Sequence, residues 1–169
     1  AIGKSHMGKV CFMVMAGGLG ERLGYDGVKP EITVDLLSET SFLKLYIEYA
    51  LAYQRDFCEQ GQKIPFAIFV SDDTETLMRA HMKANNNFGL EEDQYFVVKQ
   101  ERVAAFIDNE CTLSFNEETF LIDSKPHGHG DVHLYLNQSG LIKKWLGEGR
   151  EYVFIFNDTN PLVFRMLPS

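Results

Sequence analysis

The run Val10-Cys-Phe-Met-Val-Met-Ala16 passes without a polar break into Gly17-Gly18-Leu19-Gly20, and this join constrains the fold more than any other feature of the chain. A short continuous apolar run reads as a strand buried on both faces, as in a parallel sheet. Glycines directly after it let the backbone turn sharply and turn its N–H groups toward an anion with no side chain in the way. Arg22 and Lys29 follow and supply mobile positive charge. The segment 14–29 therefore reads as a phosphate-gripping loop with a helix expected directly after it. A tight strand-to-helix turn without a ligand is the plainer alternative.

Two familiar phosphate loops do not fit this spelling. A dinucleotide fingerprint G-x-G-x-x-G counted from Gly18 and Gly20 places Leu23 where the third glycine belongs, with Gly24 one residue late. The G-x-x-x-x-G-K-[ST] loop fails because Lys29 follows Val28 and precedes Pro30. Pro30 biases Val28-Lys29 toward extended backbone, which suits a lysine reaching across a loop.

Three further apolar runs repeat the strand pattern: Pro65–Ser71, Tyr95–Lys99 and Tyr152–Asn157. Between the first two strands, Ser41–Gln54 carries Phe42, Leu45, Tyr46, Tyr49 and Leu51 or Ala52 at helical spacing, with Ser41 as a plausible N-cap. Asp72–Asn85 follows the second strand with an acidic first turn and Leu77, Met78, His81 and Met82 on one side. Asp72, Asp73 and Thr74 fit a helix start better than chemistry, and His81, Met78, Met82 and Trp145 read as packing residues. Residues 115–122 suit a hairpin inserted before Lys125–His133, which opens the helical stretch ahead of the last strand. Alternating strands and helices imply an α/β sheet, whose ligands sit at the carboxyl ends of the strands.

A chain of 169 residues, 45% hydrophobic, has the size of one domain. Its net charge of −8 argues against a nucleic-acid partner. A small anion remains possible, with local compensation by residues such as Arg22 and Lys29 and by a divalent cation. Cys11, Cys58 and Cys111 are widely spaced and odd in number, which suits free thiols in a reducing compartment. No apolar run approaches the ~18 residues of a membrane span. No secretory signal opens the chain, so a cytoplasmic location is expected. Ser5-His6-Met7 resembles a cloning remnant and sets residues 1–7 apart from the fold. Leu162–Leu167 is amphipathic with nothing after it to pack upon, so 8–169 is expected to be an N-terminal piece of something longer.

The motifs Met15–Lys29, Ser71-Asp-Asp-Thr74, Val97-Val-Lys-Gln100, Lys125–His133 and Phe156-Asn-Asp-Thr-Asn-Pro-Leu-Val-Phe164, in this order, resemble those of the UDP-sugar pyrophosphorylases. That family shares a superfamily with the UTP–glucose-1-phosphate uridylyltransferases. The resemblance covers nearly everything from Val10 onward and implies a Rossmann-like nucleotidyltransferase core, a mostly parallel sheet with flanking helices, here incomplete. It implies transfer of UMP from UTP to a sugar 1-phosphate, giving a UDP-sugar and pyrophosphate with Mg2+. By resemblance, Gly17, Gly18 and Gly20 hold the UTP phosphates through backbone N–H groups, and Arg22 and Lys29 are catalytic cations that neutralise the triphosphate. Gln100 is implied as a uracil contact, with an exposed surface glutamine as the plain alternative, and Lys99 beside it reads equally as a solvated charge. Gly128 and His129 are implied as further nucleotide contacts and Asp158 as the magnesium ligand, although in related enzymes the acidic residue falls where this chain has Thr159. Asn160 is a possible helper. His127, His129 and His133 also admit a zinc reading, weakened by the absence of ligand spacing among the cysteines. Asp131 reads as an N-cap. A module that binds UTP without turning it over is the competing functional reading for residues 8–169 alone.

Overall fold

The computed structural model describes residues 2–168. A short helix α1 (Ile2–His6) precedes β1 (Val10–Met15), and two short strands, β2 (Thr33–Asp35) and β3 (Thr40–Ser41), lead into α2 (Phe42–Phe57). Next come β4 (Phe66–Val70), α3 (Asp72–Ala84), β5 (Tyr95–Lys99) and the paired strands β6 (Arg102–Ala104) and β7 (Ser124–Pro126). The helices α4 (Val132–Gln138) and α5 (Leu141–Gly147), the strand β8 (Tyr152–Asn157) and the single turn α6 (Val163–Met166) complete the order. Ala1 and Ser169, which fall in the ranges 1–7 and 8–169, lie outside the described residues.

The four apolar runs form one sheet in the order β5-β4-β1-β8, every neighbouring pair parallel. Alternate side chains of a strand point to opposite faces. Phe12, Val14, Phe66, Ile68 and Val70 accordingly join one core with α2, α3 and Phe164, whereas Cys11, Met13, Met15, Ala67 and Phe69 join another with α4 and α5, Trp145 included. Helices thus cover both faces, and this is why β1 is buried at all six positions.

Ser41 caps α2 through its side chain, which accepts from the Lys44 N–H, but the buried stripe is Leu43, Tyr46, Ile47, Ala50 and Tyr53. Only Tyr46 is shared with the face expected from sequence. α2 carries two adjacent apolar stripes, and the one containing the small Ala50 lies against the sheet while Phe42, Leu45 and Tyr49 flank it. On α3, Met78 and Met82 are buried as expected, whereas Leu77 is exposed and His81 is half-buried.

Two other expectations are revised. No helix follows the glycines directly. A single 3-10 turn, Glu21–Leu23, ends on left-handed Gly24, and the chain folds back through a Leu19–Val28 bridge, so the first long helix waits until Phe42. Leu162–Leu167 does find packing: Phe164 is fully buried against Phe12, Tyr46, Tyr49, Tyr53, Phe154 and Phe156. The hairpin expected at 115–122 is borne out, with Phe115 and Ile122 bridged antiparallel and the Asn116 N–H donating to the Leu121 carbonyl at 2.9 Å; it forms the tip of a longer arm closed at its base by β6 and β7 and crossed at Phe106–Leu113. Of the residues set apart at the N-terminus, 2–6 form α1 and Met7 is buried in the core.

Candidate nucleotide site at the sheet's carboxyl edge

From β1 the chain moves outward to β4 and β5, then returns to place β8 on the other side of β1. The crevice between the carboxyl ends of β1 and β8 is therefore the switch point at which sheets of this type take up ligands. The residues leaving the four strands at this edge are Gly17, Asp158, Ser71 and Gln100.

Gly17 and Gly18 emerge from β1 on the anchor of the Ala16 N–H to the Phe69 carbonyl, 2.8 Å. Neither glycine donates its own N–H to another group among the described residues, which leaves both amides available to an anion. The Ser71 hydroxyl donates to the Gly17 carbonyl at 2.8 Å. Ser71 is itself fixed as the N-cap of α3 in a reciprocal capping box with Thr74. Gly20 behaves differently: its N–H is spent on the Gly27 carbonyl at 2.8 Å, and a Cβ there would lie 2.9 Å from Tyr25. In this arrangement Gly20 shapes the turn rather than offering a donor.

Lys29 begins a 3-10 turn, Lys29–Glu31, with Pro30 in its second position; Val28 alone keeps the extended backbone expected of both, at φ −86° and ψ 138°. Buried Val28 and Pro30 root this turn in the protein. Glu31 ties it down further: its carboxylate accepts from the Tyr25 hydroxyl at 3.2 Å and lies 3.3 Å from His81 Nδ1 on α3. Burial holds the His81 pKa below the usual histidine value, and Glu31 opposes that shift. So anchored, the Lys29 ammonium reaches back to Gly18, where an added Cβ would meet Nζ at 3.1 Å, and to Asp158 Oδ2 at 3.8 Å.

Asp158 follows β8 and is 6% exposed. Burial pushes its carboxyl pKa above the usual range, against the opposing charges of Lys29 and His129. Its Lys29 contact is an ion pair too long for a good hydrogen bond, so the desolvated carboxylate is incompletely neutralised. Thr159 and Asn160, beside it, are exposed. A cleft of about 330 Å3 lined by Met15, His129, Asn157 and Asn160 opens here. A larger apolar cleft of about 500 Å3 lies at the amino ends of β1 and β8, between Val10, Tyr152 and Leu167, away from these groups.

Gln100 is 3% exposed, so the surface-glutamine alternative does not hold. Its amide nitrogen packs beneath Gly17, and its Oε1 is buried without a partner. An orphaned buried acceptor beside two free glycine amides is a feature that a polar ligand would satisfy. Lys99 turns away to Asp72 and Glu75, at 2.6 and 3.1 Å.

Gly128, at φ 141°, occupies backbone space that suits glycine, and a Cβ on it or on Gly130 would meet nothing. His129 is exposed at the cleft. The His127 Nδ1 lies 2.7 Å from Asp131 Oδ1, so the Asp131 carboxylate is committed to this pair and caps no helix N–H. Among the described residues no group of three His, Cys, Asp or Glu side chains is placed to hold a metal, and the zinc reading of His127, His129 and His133 finds no support there. Arg22 is exposed on its 3-10 turn and makes no ion pair among the described residues.

The structure thus brings together Gly17, Gly18, Lys29, Gln100, His129 and Asp158. It adds Ser71, Glu31 and His81, which sequence reasoning had assigned to no site. Ser71 was detectable, since Ser-x-x-Thr before a helix is a capping signal.

An all-parallel sheet covered on both faces, with a glycine turn, a lysine and a buried carboxylate at its switch point, defines an α/β domain of the nucleotidyltransferase kind. The chain belongs to the UTP–glucose-1-phosphate uridylyltransferase family, whose model matches residues 2–166. It is 44% identical to the UDP-sugar pyrophosphorylase of Oryza sativa subsp. indica over 164 residues, covering 94% of this chain and 27% of that protein. The Arabidopsis thaliana UDP-sugar pyrophosphorylase is 42% identical over the same shares of both chains. The chain thus spans about a quarter of the length of these relatives. Among solved structures, the Trypanosoma brucei uridine diphosphate N-acetylglucosamine pyrophosphorylase superposes with a TM-score of 0.81 at 24% identity, covering 95% of this chain and 34% of that one. Leishmania major UDP-glucose pyrophosphorylase superposes at 0.73 and 21% identity, covering 93% and 32%. At these identities the likeness is one of fold.

Proposed function

We propose that this chain is the nucleotide-binding part of a uridylyltransferase that moves UMP from UTP to a sugar 1-phosphate, with Mg2+, releasing a UDP-sugar and pyrophosphate. The observation that carries the reading is the meeting of Gly17, Gly18, Lys29 and Asp158 at the switch point. In the transfer, a sugar-phosphate oxygen forms a bond to the α-phosphorus while the bond to the bridging oxygen breaks, and pyrophosphate leaves with the electron pair. That nucleophile is already an anion, so no general base is needed and the chain's residues act by positioning and by charge. The Gly17 and Gly18 amides would hold phosphate oxygens, and Lys29 would neutralise charge growing on the leaving group. Arg22 would approach the triphosphate from its exposed turn. Gln100 would read the uracil edge, since an amide offers both a donor and an acceptor, with Gly128 and His129 against the base or ribose.

Asp158 fits magnesium. It is a hard oxygen donor whose buried charge is only partly met by Lys29 at 3.8 Å, and Mg2+ is commonly held by one or two carboxylates plus substrate phosphates. When bound, the ion would add charge neutralisation on the phosphates. The unpaired state of Cys11, Cys58 and Cys111 supports a reducing compartment, and we place the protein in the cytoplasm. Among the described residues no helix is long and apolar enough to cross a membrane.

The second reading is that residues 8–169 alone bind UTP without turnover. Titration calorimetry with UTP and Mg2+, with ATP and NADH as controls, tests the shared part of both readings. Selective UTP binding is expected, weakened about tenfold or more in Lys29→Ala through loss of a charged contact of ~1.5–3 kcal/mol. Gln100→Ala is expected to narrow the preference for UTP. UTP binding no better than ATP would refute the reading, and pyrophosphate release by the segment would separate it from the non-catalytic module.

A further inference from the structure

Two tyrosines on α2, seven residues and two turns apart, reach the segment that follows β8. The Tyr46 hydroxyl donates to the Asp158 carbonyl at 3.0 Å, and the Tyr53 hydroxyl donates to the Phe164 carbonyl. Tyr46 has no exposed surface and sits among Phe42, Phe156 and Phe164. A phenylalanine would fill this apolar site equally well, and burying a hydroxyl costs free energy unless it finds a partner. The partner here is the main chain of the residue that carries the buried carboxylate. Burial pushes the Tyr46 pKa upward, which keeps the phenol protonated as a donor. Tyr46 thus grips the turn at the Asp158 carbonyl.

We propose that Tyr46 is a positioning residue that aims the Asp158 carboxylate into the crevice. Asp158 contacts Lys29 only at 3.8 Å, so its orientation depends largely on the backbone that bears it. That backbone lies just beyond the last sheet residue, Asn157, where the ladder to β1 ends. The Tyr46 hydroxyl replaces the ladder at the point where the ladder stops. Tyr53 makes the equivalent bond six residues downstream, at Phe164, and serves packing rather than the site.

The inference rests on the nucleotide-and-metal reading of the site, and its test separates the two. UTP affinity is measured with and without Mn2+ in the unsubstituted chain, in Tyr46→Phe and in Tyr53→Phe. Partners that orient a metal-ligating side chain are typically worth 10- to 100-fold in metal affinity. Tyr46→Phe is therefore expected to lose about tenfold of the Mn2+-dependent enhancement, with metal-free UTP affinity within about twofold of the parent. Tyr53→Phe, which removes a like bond, is expected to lower the unfolding midpoint while keeping the enhancement. An unchanged enhancement in Tyr46→Phe would overturn the proposal, as would an equal loss in both variants or a parallel loss of metal-free affinity. Failure of the underlying reading would show instead in the unsubstituted chain, as no enhancement by Mn2+ at all.

Discussion

Gly17→Ala offers a sharp test of whether the glycine turn and the Gln100 amide, proposed to read the base, form one device. A Cβ at Gly17 would lie 2.7 Å from Gln100 Nε2 and 3.7 Å from Cδ, with the Ser71 amide nitrogen at 3.9 Å. Ordinary contact begins near 3.4 Å, so roughly 0.7 Å of relief is required, and the mobile end of the Gln100 side chain is what yields. Gly17 does not have a positive φ, so alanine fits its backbone and gains ~0.4–1 kcal/mol through the unfolded state. Overpacking costs ~1–3 kcal/mol, toward the low end where a side-chain terminus can shift. The two nearly cancel, and stability is expected to stay within about 1 kcal/mol of the parent. Selectivity is expected to fall, because a displaced amide forfeits a hydrogen bond worth ~1–1.5 kcal/mol, or roughly tenfold in the ratio of UTP to CTP affinity. Urea unfolding and parallel titrations with UTP and CTP give both numbers. In a Gln100→Ala background the clash is absent, so adding Gly17→Ala should leave the ratio where Gln100→Ala put it. An unchanged UTP:CTP ratio in Gly17→Ala alone would refute the reasoning, as would a further fall in the double variant.

Phe164→Ala removes a fully buried ring contacting six other aromatic side chains and should cost ~3–5 kcal/mol in urea unfolding, enough to consume much of the stability of an ordinary domain. A loss below about 1 kcal/mol would mean that α6 does not pack as described. Asp158 has a folded pKa raised above its unfolded value, so the folded chain binds this proton more tightly. Its contribution is most favourable below the unfolded carboxyl range and declines as pH rises through the raised value. Asp158→Asn removes that decline, so the variant's unfolding midpoint should gain on the parent's as pH rises above the unfolded carboxyl range, while Mg2+-dependent UTP binding is lost. A difference that does not vary with pH would show that Asp158 is not desolvated in the folded chain.

The sequence made the strands plain because a parallel sheet covered on both faces demands uninterrupted apolar runs, and Tyr95–Lys99 and Tyr152–Asn157 match the structure to the residue. Helix faces were less legible. On α2 the apolar residues fill two adjacent stripes, and periodicity does not say which of them meets the sheet. The missing helix after the glycines has a similar origin: Gly24 and Gly27 both take positive φ, so the chain reverses and bridges Leu19 to Val28. For the site, strand ends pointed to Gly17, Gln100 and Asp158 because polar residues directly after buried strands collect at one edge. The parts that sequence left unmarked act over long chain separations. Ser71 reaches a carbonyl 54 residues away and Tyr46 one 112 residues away. Glu31 meets His81 only after α3 has packed.

On the proposed reading, the same geometry accounts for how a chain of net charge −8 would take up a polyanion. At physiological ionic strength charges more than about 8 Å apart are largely screened, so what matters is the balance within the crevice. Several acidic groups near the carboxyl edge are already engaged: Asp72 and Glu75 by Lys99, Asp73 by Arg102, Glu31 by Tyr25 and His81, and Asp131 by His127. Glu21, Asp26 and Glu101 are exposed to water and make no ion pair among the described residues, whereas Asp158 is buried beside the Lys29 ammonium at 3.8 Å. A lysine whose ammonium lies between Gly18 and Asp158 can move its charge onto a phosphate without leaving its anchor at Pro30. The cost is that the Asp158 carboxylate then stands less compensated. On the proposed reading that charge is met by the divalent cation arriving with the nucleotide, so cation and nucleotide should each strengthen the binding of the other.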